Sequence, residues 1–267
     1  MSQLMWVAAD GLTVAQRNLI KIKRVPELLV WVLMSPIMFV LLFAYVFGGS
    51  IEVPGVNYRE FLIAGIFAQT VVFGATYTGA SLAEDMQKGI IDRFRSLPMT
   101  RSAVLVGRTA SDVFYNVLSI VIMAGTGLLV GWRIRTSVWE ALAGFALLLL
   151  FSYAFSWVMA SVGLLVPAPE VVNNASFMVI MPLTFVSNAF VPSQNLPTPL
   201  RIFAEWNPVS AVTQAARNLF GNVNSAAPLP EAWSMQNPEL YTLIWVVVIL
   251  AIFVPFSVSL YKRAATK

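Results

Sequence analysis

Six stretches of this chain are long and apolar enough to cross a bilayer: residues 26–47, 61–83, 102–130, 138–166, 174–191 and 240–260. A spanning helix needs roughly 20 such residues, because it rises about 1.5 Å per residue through a hydrocarbon core about 30 Å thick. Lipid offers no hydrogen-bond partner, so each run must satisfy its own backbone groups, and a helix does so within the segment. The expected fold is therefore an all-α integral membrane protein with six transmembrane helices. Composition agrees: 58% of the 267 residues are hydrophobic, only 11% are charged and the mean hydropathy is +0.75, whereas soluble domains run near a quarter charged.

In such a chain the net charge of +4 and pI near 9.5 do not point to nucleic acid, because basic residues mostly set orientation. Arg17, Lys21, Lys23, Arg24, Lys88, Arg93, Arg95, Arg101, Arg108, Lys262, Arg263 and Lys267 make up 12 of the 17 basic residues and fall in segments on one side. Arg59, Arg133, Arg135, Arg201 and Arg217 fall on the other. The positive-inside rule then puts both termini in the cytoplasm. The loop at 167–173 has no Lys or Arg and adds no support. No cleavable signal peptide is expected, since the charges follow the first apolar stretch. The absence of cysteine and histidine removes thiol nucleophiles, disulfides, imidazole catalysis, and haem or zinc ligation through those side chains.

Three segments break the apolar pattern. Residues 84–101 form a charged amphipathic island, with Met86, Ile90, Phe94 and Leu97 on one helical face and Asp85, Lys88, Asp92 and Arg95 elsewhere. Pro98 stops that helix for want of an amide hydrogen. A short helix at the cytoplasmic surface can be the handle for a soluble partner; an ordinary interfacial loop explains the pattern as well. Before the first span, Met5, Ala8, Leu12, Ala15, Leu19 and Ile22 oppose Asp10, Arg17, Lys21 and Arg24, as in a helix lying in the inner interface. A plain anchor accounts for this, and contact with a cytoplasmic partner would be an addition. Residues 192–239, with seven prolines, are too long and irregular for a simple connector. Within them Asn207 or Ser210 is placed to cap a helix over 211–220, and Gly221 to end it. Its apolar character fits a re-entrant pair dipping into the outer leaflet, where such backbone must be covered by protein or line a wet cavity.

No phosphate-binding Gly-x-x-x-x-Gly-Lys-Ser/Thr loop occurs, so if the protein is a pump its motor is another chain. Gly127-x-x-x-Gly131 reads as close helix packing, or more sharply as a dimer contact. Arg108, Asp112 and Asn116, four apart, read as an intrahelical Arg–Asp pair in preference to a proton relay. Glu27 and Glu60 sit at span ends, within reach of solvent or of Lys23 and Arg59. Gln69, Phe73, Thr76, Tyr77, Asn174, Phe177, Thr184, Ser187 and Asn188 put uncharged polar and aromatic groups on the second and fifth spans, and Met34, Met38, Phe39 and Phe43 add soft surface on the first. Helix packing explains most such residues. A pocket for amphipathic ligands is the functional alternative, and it singles out Phe39, Phe43, Phe73, Tyr77, Phe177 and Asn188.

Read in order, Arg17-Asn18-Leu19 with Arg24-x-Pro26, the 84–101 segment with Gly89, Leu97-Pro98 and Arg101, and Trp206-Asn207-Pro208 followed by Arg217 make the chain resemble ABC-2-type exporter permeases, most of all the daunorubicin/doxorubicin resistance group. The resemblance covers nearly the whole chain and is more specific for fold than for cargo. It implies a cytoplasmic interfacial helix at 1–25 and a transmembrane domain at 26–267, with a coupling helix at 84–98 and re-entrant helices within 192–239. It implies two permeases, identical or paralogous, joined to two ATP-binding subunits that hold ATP and Mg, with no cofactor in this chain. Glu84, Asp85, Gly89, Arg93 and Arg17 would couple to the ATPase. A substrate cavity would lie between the first, second and fifth spans. The 167–173 loop, an ATPase contact in the family, is proline-rich and nearly uncharged here.

The function expected is therefore a permease subunit, without an ATPase site of its own, that exports an amphipathic drug or natural product across the cell membrane. Export of a lipid or glycolipid to the envelope is the near alternative. A proton-coupled transporter is disfavoured by the lack of histidine and mid-membrane acids. An intramembrane enzyme would need a nucleophile–base pair that the sequence does not offer.

Overall fold

Alternation of apolar runs with short polar breaks gives a chain of helices. The structure, a computed structural model, describes residues 34, 37–47, 55–90, 103–166, 168–223 and 230–264, with backbone alone at 47, 103–108, 110, 111 and 264. The elements are α1 (Ile37–Val46) with a π-helical end at Phe43–Phe47, α2 (Tyr58–Gln87), α3 (Ala103–Leu129), α4 (Val138–Leu165), α5 (Pro169–Phe185), a 3-10 turn (Ser193–Asn195), α6 (Thr198–Trp206), α7 (Pro208–Phe220), α8 (Trp233–Gln236) and α9 (Pro238–Ala264). No strand occurs among the described residues. Among the described residues four helices, α2, α3, α4 and α9, are long and apolar enough to cross a membrane. Of the first expected span only the last part is described, and residues 1–33 lie outside the described residues.

The fifth expected span differs. α5 begins at Pro169, so most of the supposed 167–173 loop is its first turn. Proline is at home there, because the first-turn amide has no helical partner to lose. The helix holds Pro182 and stops at Phe185 after 17 residues, instead of running to 191. Ser187 and Ser210 then take over the backbone: the Ser187 hydroxyl accepts from the Ala189 amide at 3.1 Å and that of Ser210 from the Asn188 amide at 3.0 Å. The amphipathic segment differs too. Glu84–Gln87 is the last turn of α2, and Lys88–Gly89 is a turn with Gly89 at φ +64°. One continuous 84–98 helix is therefore interrupted at Gly89, in a conformation that favours glycine. Residues 91–102 lie outside the described residues.

α2 is the axis of the bundle, packed against α3, α4, α5 and α7. Backbones meet where side chains are missing. A Cβ on Gly163 of α4 would stand 2.2 Å from the Gly79 carbonyl oxygen, and one on Gly65 2.0 Å from that of Ala189. Small residues allow such approach, which is how helices associate where lipid is as apolar as leucine. Gly127-x-x-x-Gly131 is no such seam. α3 ends at Leu129, Gly131 is in a turn at φ +101° with nothing within 4 Å of its would-be Cβ, and Gly127 faces Ile63 and Trp132.

The α6–α7 pair is held by Asn207, which caps α7 by accepting from the Val209 amide at 2.8 Å and donates to the Leu183 and Val186 carbonyls at 2.6 and 2.8 Å. Gly221, at φ +71°, ends α7. Trp132, fully buried, donates to Asn222 at 2.7 Å and meets Phe67 and Phe220 edge-on. Glu60 pairs with Arg135 rather than Arg59, with Arg135 donating at 3.0 and 2.7 Å. That pair holds the Arg135 guanidinium above its ordinary pKa.

The deepest cation among the described residues is Arg217, 1% exposed. It donates to the carbonyls of Phe61 (2.9 Å), Asn188 (2.8 Å) and Ala189 (3.0 Å), and its guanidinium carbon lies 3.4 Å from the Phe61 ring centroid. The last two carbonyls belong to the stretch that leaves α5, so this arginine closes a helix end that has no next turn.

Candidate functional site

Helical spacing puts Gln69, Phe73, Thr76, Tyr77, Ala80 and Glu84 along one side of α2. These residues face a cavity of about 510 Å³. Phe39 closes it from α1, Tyr115 and Ser119 from α3, and Pro169, Asn173, Phe177 and Met181 from α5. Phe73 and Phe177 approach at 6.1 Å between ring centroids, and Tyr77 stacks on Tyr115 at 5.7 Å. Phe177, 54% exposed, forms the rim, and Met178 and Val179 beside it are 77% and 66% exposed. The walls are thus aromatic, with hydroxyl and amide groups between the rings and an apolar lip.

Behind the cavity, α2 and α3 are joined by polar contacts. The Thr78 hydroxyl donates to the Asp112 carboxylate, and Asn116 donates to the Asp112 backbone carbonyl at 2.8 Å. The Asn116 side-chain oxygen fills the gap over Gly74, where a Cβ would stand 2.6 Å from it. Asp112 and Asn116 are both buried; the Arg108 side chain lies outside the described residues. A carboxylate held this way ties two helices together at low exposure.

Of the six residues singled out for a pocket, Phe39, Phe73, Tyr77 and Phe177 come together here. Phe43 and Asn188 do not. Phe43 stacks on Phe190 at 4.8 Å. Asn188 is buried, donating to Gln214 at 3.2 Å and lending its carbonyl to Arg217. It serves the break after α5, a role its polarity alone could not distinguish from lining. Tyr115 and Ser119 were missed, although they continue the stripe of Asp112 at spacings of three and four.

The expected coupling residues separate as well. Glu84 lies on the cavity wall and pairs with Lys88 at 2.5 Å. That bond raises the pKa of the exposed Lys88 ammonium. Asp85 is buried at 8% exposure and turned into the bundle. Gly89 marks the turn. Arg93 and Arg17 lie outside the described residues.

The family model described as ABC-2 type transporter matches residues 11–220, through the end of α7. The chain is 34% identical over 208 residues to the daunorubicin resistance ABC transporter permease DrrB1 of Streptomyces coeruleorubidus, covering 78% of this chain and 74% of the relative. It is 22% identical over 233 residues to the probable doxorubicin resistance ABC transporter permease DrrC of Mycobacterium tuberculosis, covering 86% and 80%. The putative transport permease ycf38 of Pyropia yezoensis is 24% identical over 214 residues, covering 78% and 72%.

Proposed function

The chain belongs to the ABC-2 type transporter family, and from that premise we propose that it exports amphipathic drugs or natural products through the cavity between α1, α2, α3 and α5. The chain is a multi-pass membrane protein and the permease component of an ABC exporter that works with an ATP-binding subunit. In our reading two ATP-binding subunits and a second permease complete the transporter, both termini are cytoplasmic, α6 and α7 dip back into the outer leaflet, and ATP and Mg reside in the motor.

The observation that carries the reading is the ring-lined cavity itself. Rings offer faces to an aromatic or cationic ligand, and Gln69, Thr76 and Ser119 offer hydrogen bonds without the loss of a buried ion pair. The exposed apolar lip at Phe177 supports entry from the bilayer. Transport requires that cargo bind the inward- and outward-open forms unequally, so that ATP-driven closure lowers its affinity. The turn at Gly89 gives the connection: motion of the segment beyond it would reach α2, whose side chains line the cavity. Glu84, Gly89, Arg93 and Arg17 are the residues we assign to that route, and the buried Asp85 would act by holding the end of α2.

The test is alanine truncation at Phe73 and Phe177 in reconstituted permease with its ATPase. Daunorubicin-stimulated hydrolysis should fall at least fivefold while basal hydrolysis stays within twofold. Equal loss of both would assign the rings to structure alone. The same lip favours a second reading, export of a lipid or glycolipid. If envelope lipids stimulate hydrolysis and drugs do not, that reading takes its place.

A further inference from the structure

α2 and α3 run side by side in one antiparallel register. Ile63 meets Gly127, Gly74 meets Asn116 and Thr78 meets Asp112, in equal steps along both helices. The middle contact lies at the level of the cavity. Gly74 is part of its lining, and next to it Tyr77 and Tyr115 stack across the seam at 5.7 Å. The nearest atoms across from a Cβ built on Gly74 all belong to the Asn116 amide, at 2.6, 3.5 and 3.6 Å. That amide is fixed on its own helix, since Nδ2 donates to the Asp112 carbonyl at 2.8 Å and the residue is buried.

We propose that Asn116 is a positioning residue that sets the width of the cavity. Seated in the notch of Gly74, its amide fixes how near α3 stands to α2, and with it where Tyr115 and Ser119 stand on the wall. The transporter then selects cargo by thickness. The inference rests on the cavity reading above and adds what limits the size of the cargo. Side chain and backbone are already in contact at this point, and a close-packed seam has no slack to take up another methyl. A methyl on Gly74 therefore moves α3. Its outward path is open, because Phe114, Val117 and Val121 on the far side of α3 are exposed. The displaced helix takes Tyr115 and Ser119 with it, and the cavity widens.

The experiment uses two fluorescent cations with the same flat core and different thickness. Proflavine is three fused rings alone; rhodamine 123 carries an aryl ring set across the plane of its three. Binding is read by fluorescence on the full permease–ATPase complex in nanodiscs without nucleotide, and an unfolding midpoint reports that each variant is folded. Gly74→Ala should raise the affinity for rhodamine 123 relative to proflavine about tenfold, the low end of what one methylene of fit is worth in an apolar pocket. Asn116→Gln lengthens the spacer from the other helix and should shift the ratio the same way; it decides the matter if Gly74→Ala does not fold. Gly74→Ala/Asn116→Ala removes the amide that the new methyl meets and should return the ratio to within about twofold of wild type, since residues in contact couple. Gly127→Ala crowds the same seam outside the cavity, its Cβ 3.3 Å from Ile63 and Trp132, and should leave the ratio unchanged. A constant ratio in the folded single variants overturns the proposal. So does a shift that the double variant keeps or that Gly127→Ala reproduces. Phe73→Ala separates the two levels. If it loosens both probes while the ratio ignores Asn116, the width role alone fails; if it loosens neither, the cavity reading fails first and the width role with it.

Discussion

α2 and α9 are both long enough to span a bilayer, yet the less apolar of the two is the more buried. Of the most apolar window of α2, 72% is buried within the chain, against 17% for α9, which has the highest hydropathy of the four spans. In water the order would be reversed. In a bilayer an apolar side chain gains little by leaving lipid for protein, so the interior is claimed by close backbone approach and by polar groups that find partners only there. α2 accordingly carries Gly65, Gly79, Gln69, Thr78 and Ser81, each small or polar, while α9 turns Val247, Ile252 and Phe256 outward.

The largest effect should come from the contact that joins α2 to the break after α5. Arg217→Met leaves the carbonyls of Phe61, Asn188 and Ala189 without their donor, at a cost of about 1–3 kcal/mol for a buried group left unsatisfied. The variant should lose about 3 kcal/mol or more, at least about 1 for each of the three carbonyls, seen as a fall in the unfolding midpoint in detergent. A midpoint unchanged within error would remove Arg217 from the account of what holds the bundle.

Next comes backbone approach. Gly65→Ala would put a methyl 2.0 Å from the Ala189 carbonyl oxygen, and overpacking of this kind costs about 1–3 kcal/mol. The same assay reads it. Stability equal to wild type would mean that α2 and the 186–190 stretch are not in contact. On the exposed face of α9 the contrast should appear as silence: Val247→Ala and Ile252→Ala should stay within about 0.5 kcal/mol, and a loss as large as that of Gly65→Ala would show that α9 is an interior helix.

Gly89 sharpens the comparison at the cytoplasmic end of α2. At φ +64° proline is geometrically excluded, and alanine is strained by about 1 kcal/mol. Gly89→Pro should abolish efflux at normal membrane expression, and Gly89→Ala should reduce it only partly. Full efflux in a stably expressed Gly89→Pro variant would detach the segment beyond α2 from transport.

Hydropathy made four of the spans legible, and cap chemistry marked Asn207 and Gly221 at the ends of α7, although the helix expected over 211–220 begins at Pro208. What the sequence hid follows from the same bilayer physics. When lipid and protein interior are equally apolar, no periodicity marks the inward face, so Asn188 read like a wall residue and Tyr115 did not. The early end of α5 depends on Pro182 together with Ser187, Ser210 and Arg217, which meet only in three dimensions. Gly79 and Gly163 form a seam between two helices and share no motif, whereas Gly127 and Gly131 share a motif and form no backbone seam within the chain.

The claim that cargo sits against α2 while α9 faces lipid has a direct measurement, made simple because the chain contains no cysteine. Thr76→Cys and Asn173→Cys place single thiols on the cavity wall, and Val247→Cys places one on the exposed face of α9, where Val247 is 64% exposed. Labelling by a membrane-permeant maleimide is followed in the permease–ATPase complex with and without daunorubicin. The account predicts that daunorubicin slows labelling of both wall thiols at least threefold and leaves Val247→Cys unchanged. Equal rates at the wall with and without drug, or equal slowing at all three positions, would contradict it.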